Sequence, residues 1–376
     1  MTISESAAPP FVMKKPSVEL PLLKYLVAAR RSHLISLLGV LVVVMATTSQ
    51  AATFCVTDGT DLDAALQAAE SNGEDDVVKL VSGSFTPVSP SLFYFAEAGH
   101  SVVIEGGYDL GCAQRDDDAS VTAIDGGGMR TLLRIDAFPG SGDITVRNLT
   151  LRDGLSVGGQ SAVQLLGAGT NTVTLESAIL RSNVGAVFQS QYYFPAVWLA
   201  ADQGNIVVRN VLFANNDAAS GIAPVWLLSS QGGNVTFNNN TVVANGATSG
   251  VEATEFDFYS GGTLSLANNI LWGNVSGDIR EAGNGESIEL DHNDIGVRTM
   301  DTPTLEFGTL NTDPKFVSPS DYRLDPNSPL RDAGDSTAFG GVGLLDIAGM
   351  PRIVLKSIDI GAYEVKDDTV FHDSFE

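Results

Sequence analysis

Two tryptophans, two carboxylates and an arginine recur at intervals that would bring them onto one face of a repeating structure. Trp198 and Trp226 lie 28 residues apart, Glu255 and Asp257 follow after a similar interval, and Asp278–Ile279–Arg280 comes next. A flat aromatic face stacks well on a sugar ring, so an exposed Trp pair reads as a carbohydrate platform. Paired carboxylates beside it have the chemistry of a general acid and base on a glycosidic bond, and an arginine that of proton abstraction in a lyase. Asp257, Arg280 and Glu255 are therefore the catalytic candidates. Trp198, Trp226, Tyr192, Tyr193 and Tyr259 are the ligand-binding candidates. The competing reading is plainer: Trp is a good strand residue, and Asp257 with Arg280 would be a surface ion pair worth under about 1 kcal/mol. No Ser/His/Asp order and no Cys–His cluster for zinc is visible in the chain. Metal ligands are not expected, and Asp116–Asp117–Asp118 reads as a solvated turn. Ca²⁺, taken up through carboxylates, is the one cofactor the acidity would admit.

What must position these residues is a repeat. Ile144–Leu151, Val173–Leu180, Ile206–Phe213, Val235–Val242, Leu264–Leu271 and Ile288–Ile295 share one pattern, at spacings of 29, 33, 29, 29 and 24 residues. Each opens apolar–polar–apolar, passes a polar turn and resumes an apolar step. Period-two alternation rich in Val, Ile and Thr makes the element a strand, and a fixed period of this size makes a stack of units that cannot bury their apolar faces alone. The fold expected is all-β: a single-stranded right-handed parallel β-helix, with adjacent coils about 4.8 Å apart. The fifth position, Asn148, Ser177, Asn210, Asn239, Asn268 and His292, would supply the left-handed bend within each coil. Its stacked side chains would bond one another as a structural ladder. A second strand keeps step: Ala162–Leu166, Ala196–Ala200, Pro224–Leu228 and Glu255–Tyr259. Alternation sends Val163, Val197, Val225 and Phe256 inward, with Leu165, Leu199, Leu227 and Phe258, and leaves Gln164, Trp198, Trp226 and Asp257 as an outward column.

The ends differ from the body. Basic residues from Lys14 to Arg31, the apolar run Leu34–Ala46 and Ser49–Gln50–Ala51 read as a signal peptide over residues 1–51, with Met1 and Met13 both open as starts. That run is too short to span a membrane. Losing five Lys/Arg and two Asp/Glu with it takes the net charge from −24 to −27. Such a chain repels nucleic acid and anionic lipid, and its expected state is a monomer, extracellular or loosely surface-associated, with a polysaccharide or cell-surface glycan as partner. Export places Cys55 and Cys112 where an even count favours a bridge. Asp61–Asn72 has helical apolar spacing and would cover the first coil within an irregular region, 52–142; regular coils follow over 143–300. Closely spaced turns at Asp313–Pro314, Asp325–Pro326 and Ser328–Pro329 make 301–365 an irregular C-terminal cap over the far end, and 366–376 a tail.

Several segments carry a family resemblance: Asn268–Asn274 (NNILWGN), Asp313–Phe316 (DPKF), Asp321–Leu324 (DYRL), Ser328–Leu330 (SPL), Asp332–Gly334 (DAG) and Asp346–Glu364 (DIAGMPRIVLKSIDIGAYE). The chain resembles secreted bacterial right-handed parallel β-helix proteins with a choice-of-anchor-type C-terminal module, of the pectate-lyase-like superfold. Arg331 departs from that pattern, where a small or apolar residue is usual. The resemblance implies the fold and export. It also implies kinship with polysaccharide lyases and hydrolases, which does not by itself imply an activity. The ending Val370–Glu376 is similar to a short aromatic-acidic tail of exported proteins. The functional expectation is an exported carbohydrate-binding or structural and adhesive protein without turnover. The alternative is a polysaccharide lyase or glycoside hydrolase acting along the outer face.

Overall fold

The computed structural model describes residues 51–366, except 97–98, 190–191, 219–220, 248–249 and 354–356. The leader and nearly all of the tail lie outside the described residues. Over the rest the chain is a parallel β-helix. One sheet runs through Ala52–Val56, Asp76–Val81, Val102–Tyr108, Ile144–Arg152, Val173–Arg181, Ile206–Ala214, Val235–Asn238, Thr263–Ala267, Ser287–Asp291 and Leu305–Phe307. Ile144, Val173, Ile206, Val235, Leu264 and Ile288 stand in register along it, as the repeat requires. A second sheet stacks Ser91–Ala96, Thr131–Ala137, Val163–Leu166, Val197–Ala201, Val225–Ser229, Thr254–Phe258, Ile279–Ala282 and Arg298–Thr299, all parallel. Beyond the bend in the first sheet a third short face continues, as in Thr241–Val243, Ile270–Trp272 and Asp294–Ile295.

The bend is the repeat's fifth position. Asn148, Ser177, Asn210, Asn239, Asn268 and His292 all have φ between 46° and 56°, the left-handed conformation that Asn tolerates best among residues with a Cβ. A second bend holds Asp153, Ser182, Asn215 and Ala244 at φ 51° to 55°. The ladder expected at the first of these positions is corrected. Among the described residues, the fifth-position side chains do not bond one another. The asparagines that do so each follow a bend residue. Asn240, Asn269 and Asn293 form one run, with Nδ2–Oδ1 distances of 3.1 and 2.8 Å. Asn183, Asn216, Asn245 and Asn274 form another, each step 3.0 Å. The physical reason is direction. A left-handed residue turns its own side chain outward, and the residue after it points back into the solenoid. There each Nδ2 also donates to a carbonyl of the preceding coil, as Asn216 does to Leu180 O at 2.9 Å.

The interior is largely aliphatic, with Tyr94, Phe213, Phe237, Phe256 and Phe258 buried among the aliphatic side chains. Val163, Val197, Val225, Leu165, Leu199 and Leu227 are all buried, each contributing about 1.5–3 kcal/mol over its exposed state. The helix forms over Gly59–Ala69, with Asp58 as its cap accepting from Thr60 N and Asp61 N at 2.8 and 2.9 Å. Leu62, Ala65, Leu66 and Ala69 lie against the first coil, covering its open end. Cys55 and Cys112 are bridged across 57 residues, which constrains the unfolded chain by about 4 kcal/mol on the loop-entropy account.

The C-terminal segment is irregular but is not placed over the end. The solenoid itself runs one strand further than residue 300, to Leu305–Phe307. The chain then folds back along the flank of the coils. Asp335 N donates to Asn268 Oδ1 at 2.7 Å, Arg209 donates to Gly340 O at 3.1 Å, Asn210 donates to Leu345 O at 3.0 Å, and Ala119 N donates to Ile347 O at 3.1 Å. The cause is apolar surface: Ile179, Leu212, Val243 and Ile270 face outward from the third face, and Ile347, Ala362, Tyr322, Leu324 and Ile360 cover them. The D-x-x-G-x-P-R and D-I-G-A-Y-E segments supply the attachment. Arg352, wholly buried, donates to Glu364 at 2.7 Å, to Gly361 O at 3.0 Å and to Asn210 Oδ1. Gly361 has φ 108°, and a Cβ there would lie 2.6 Å from Ile270 Cδ1.

Candidate functional site

The outer face of the second sheet is where the aromatic and acidic candidates meet. Their positions follow from strand register. Trp198 pairs with Gln164 on one side and Trp226 on the other; Trp226 pairs with Glu255, and Glu255 with Arg280. The outward column is therefore Gln164–Trp198–Trp226–Glu255–Arg280, not one that places Asp257 opposite Trp226. The fourth strand sits two residues from the expected alignment, with Leu227 opposite Phe256. A shift of two leaves every side chain on its proper face, so alternation alone could not detect it. Phe256 and Phe258 are buried as expected.

The two Trp rings are half-buried and parallel, with centroids 5.5 Å apart and planes 10° from each other. Each therefore gives one face to the other and turns its edge outward, so the pair is not an open double platform for sugar rings. Asp257, two residues beyond Glu255 and buried, accepts from Trp226 Nε1 at 3.2 Å. Arg280 and Glu255 approach to 3.9 Å. Asp257 and Arg280, expected as partners, are thus drawn to different neighbours.

Exposed aromatic surface flanks the pair. Tyr259 is 43% exposed; burial, then the charges of Asp257 and Glu255, push its hydroxyl above the ordinary tyrosine range. On the other side the inter-repeat insertion folds as an antiparallel hairpin, Ala186–Phe188 with Tyr192–Phe194. It carries Val187, Phe188 and Tyr193 to solvent, with Tyr193 46% exposed. Tyr192 lies on this hairpin, and its side chain is outside the described residues. One coil before Trp198, Gln164 Nε2 donates to Asp136 Oδ1 at 3.0 Å, and Asp136 also pairs with Arg134, which stacks over Phe93 at 4.5 Å. The sequence reading missed this polar group, whose signal was the Arg134-x-Asp136 pair one strand earlier.

Elsewhere the expected ladder residue His292 meets Asp291 at 2.6 Å, and both lie within 4.8 Å of Asp335 through their ligand atoms. Asp117 is bound by Arg115 at 2.7 Å, and Asp116 and Asp118 accept backbone N–H groups of their own turn. Those acids are thus turn formers and an ion-pair partner. Among the described residues no helix is long and apolar enough to cross a membrane.

No family model matches the chain, and no curated protein matches it. Among solved structures it is similar to the A-module of the mannuronan C-5 epimerase AlgE4 of Azotobacter vinelandii, at 12% identity over 70% of this chain and 96% of that one. The TM-score of that match is 0.17. The fold stands on the parallel pairing itself.

Proposed function

We propose that the protein is an exported, non-catalytic β-helix that binds polysaccharide along the outer face of its second sheet. The observation that carries this reading is the exposure of Tyr193 and Tyr259 on either side of the Trp198–Trp226 stack, on a flank that the described residues of the C-terminal segment leave open. Such rings offer the flat apolar contact a pyranose needs. The acids on this face are engaged, Asp257 by the Trp226 indole and Glu255 by Arg280, which favours binding over general acid–base work. Strong acidity favours a neutral glycan over a polyanionic one. Export rests on the Cys55–Cys112 bridge, which belongs to oxidising compartments, and on the resemblance to choice-of-anchor β-helix proteins. The bridge is compatible with an extracellular protein.

The test is a panel of neutral and acidic polysaccharides in affinity electrophoresis, run beside reducing-sugar and unsaturated-product assays. Retardation by a neutral glycan without product is the expected result. Reproducible product, lost in Glu255→Gln or Arg280→Ala, would instead establish a lyase or hydrolase on this face. No retardation by any glycan would leave a purely structural or adhesive role.

A further inference from the structure

The strand Ile279–Ala282 places a carboxylate where its neighbours place apolar side chains. Ile279 pairs with Thr254 and Glu281 with Phe256, so Glu281 occupies an inner position and is only 8% exposed. Its Oε2 accepts from Asp301 N at 3.3 Å, while its Oε1 is buried and meets no donor among the described residues. The turn that follows folds the Glu286 carboxylate back onto it, and Glu286 Oε2 is likewise buried without a donor. That fold-back requires Gly283, because a Cβ there would lie 2.4 Å from Glu286 Oε2. Ligand oxygens of Glu281, Glu286 and Asp301 all lie within 4.8 Å of one another. The three come from two successive coils, and no basic side chain is among the groups acting on Glu281.

Two carboxylates held together in a buried place cannot both carry charge unless a proton or a cation lies between them. We propose that Glu281, Glu286 and Asp301 form a Ca²⁺ site that ties the last two coils together. An all-oxygen set selects a hard cation. Ca²⁺ takes oxygens at about 2.3–2.6 Å in irregular geometry, so ligands on opposite sides of one ion stand about 5 Å apart, matching this cluster. The exposed Asp301 side leaves room for the waters that complete its coordination.

The test is calorimetric titration of Ca²⁺ into the EDTA-treated full chain at pH 7.5, with thermal melts in its presence and absence. The expected result is one equivalent bound and a raised Tm. Glu281→Gln should weaken binding at least tenfold, and Glu286→Gln, on the turn, repeats the test should the first variant fold poorly. Asp291→Asn alters the second acidic cluster among the described residues, with His292 and Asp335, and should leave binding intact. Binding that survives both Glu variants, binding lost in Asp291→Asn alone, or no heat and no Tm shift with millimolar Ca²⁺ would each overturn the site.

Discussion

The two long flanks of this solenoid are built from the same repeat and finished in opposite ways. On the third face, outward Ile179, Leu212, Val243 and Ile270 are covered by the returning C-terminal segment, held by a buried Arg352. On the second sheet, outward Trp198, Trp226 and Tyr259 meet no such segment among the described residues: the two Trp rings stack on each other and Trp226 Nε1 donates to Asp257, while the Trp198 indole N–H has no partner there. Apolar side chains that a chain covers with its own backbone are part of its core. Aromatic side chains left at an open surface, with polar partners already arranged around them, are available to another molecule. The difference separates structure from function along the same coils, and it can be broken from either side.

The largest effect is expected on the covered flank. Arg352→Ala leaves Glu364 and the Asn210 side chain buried without their partner, and should lower stability by about 3–5 kcal/mol in denaturant unfolding. Unchanged stability would mean that the C-terminal segment only rests on the coils. Next, Cys55→Ser should cost about 4 kcal/mol at most, for a bridge closing 57 residues. The loss should appear as early melting of the helix-covered end, read by hydrogen exchange over residues 52–81. A loss spread evenly over all coils would show instead that the solenoid unfolds as one unit.

A smaller contrast tests the ladder. Asn245 has five side-chain bonds: its Nδ2 donates to Asn274 Oδ1, Phe213 O and Val243 O, and its Oδ1 accepts from Asn216 N and Nδ2. Asn239, one coil-bend away, is equally buried, yet neither side-chain polar atom has a partner among the described residues. Asn245→Ala should therefore cost about 1–3 kcal/mol. Asn239→Gly, which keeps the left-handed bend at φ 54°, should cost far less. Equal losses would place the ladder at the bend after all.

How much of this was legible in the sequence depends on which constraint each residue obeys. Alternation and period were enough to align Ile144 through Ile288 in the register observed, and to send Val197 and Leu199 inward. The bend residues were legible because positive φ selects Asn. The ladder was misplaced by one position because a sequence pattern marks where the chain turns, not which neighbouring side chain the turn aims inward. Asp257 was set opposite Trp226 for a different reason: an even slip in a strand preserves its faces, and only the backbone pairing from Thr254 onward resolves it. Glu281 was passed over because a single acid in a short strand reads as solvent-facing until the coil before it is seen to point Phe256 the same way. The C-terminal segment was expected at the end of the solenoid because its turns are too close for strands. What places it on the flank is the row of outward aliphatics 27 to 33 residues apart, from Ile179 to Ile270.

The open flank is tested most directly through its own fluorescence. The chain has three tryptophans, Trp198, Trp226 and Trp272, so a Trp272→Phe variant reports the stacked pair alone. Titrating that variant with the neutral glycan that retards the parent protein should shift its emission and reduce acrylamide quenching, and Tyr259→Ala should weaken the apparent affinity at least tenfold. A glycan that binds with unchanged emission, unchanged quenching and no effect of Tyr259→Ala would contradict the account, because the binding face would then lie elsewhere on the molecule.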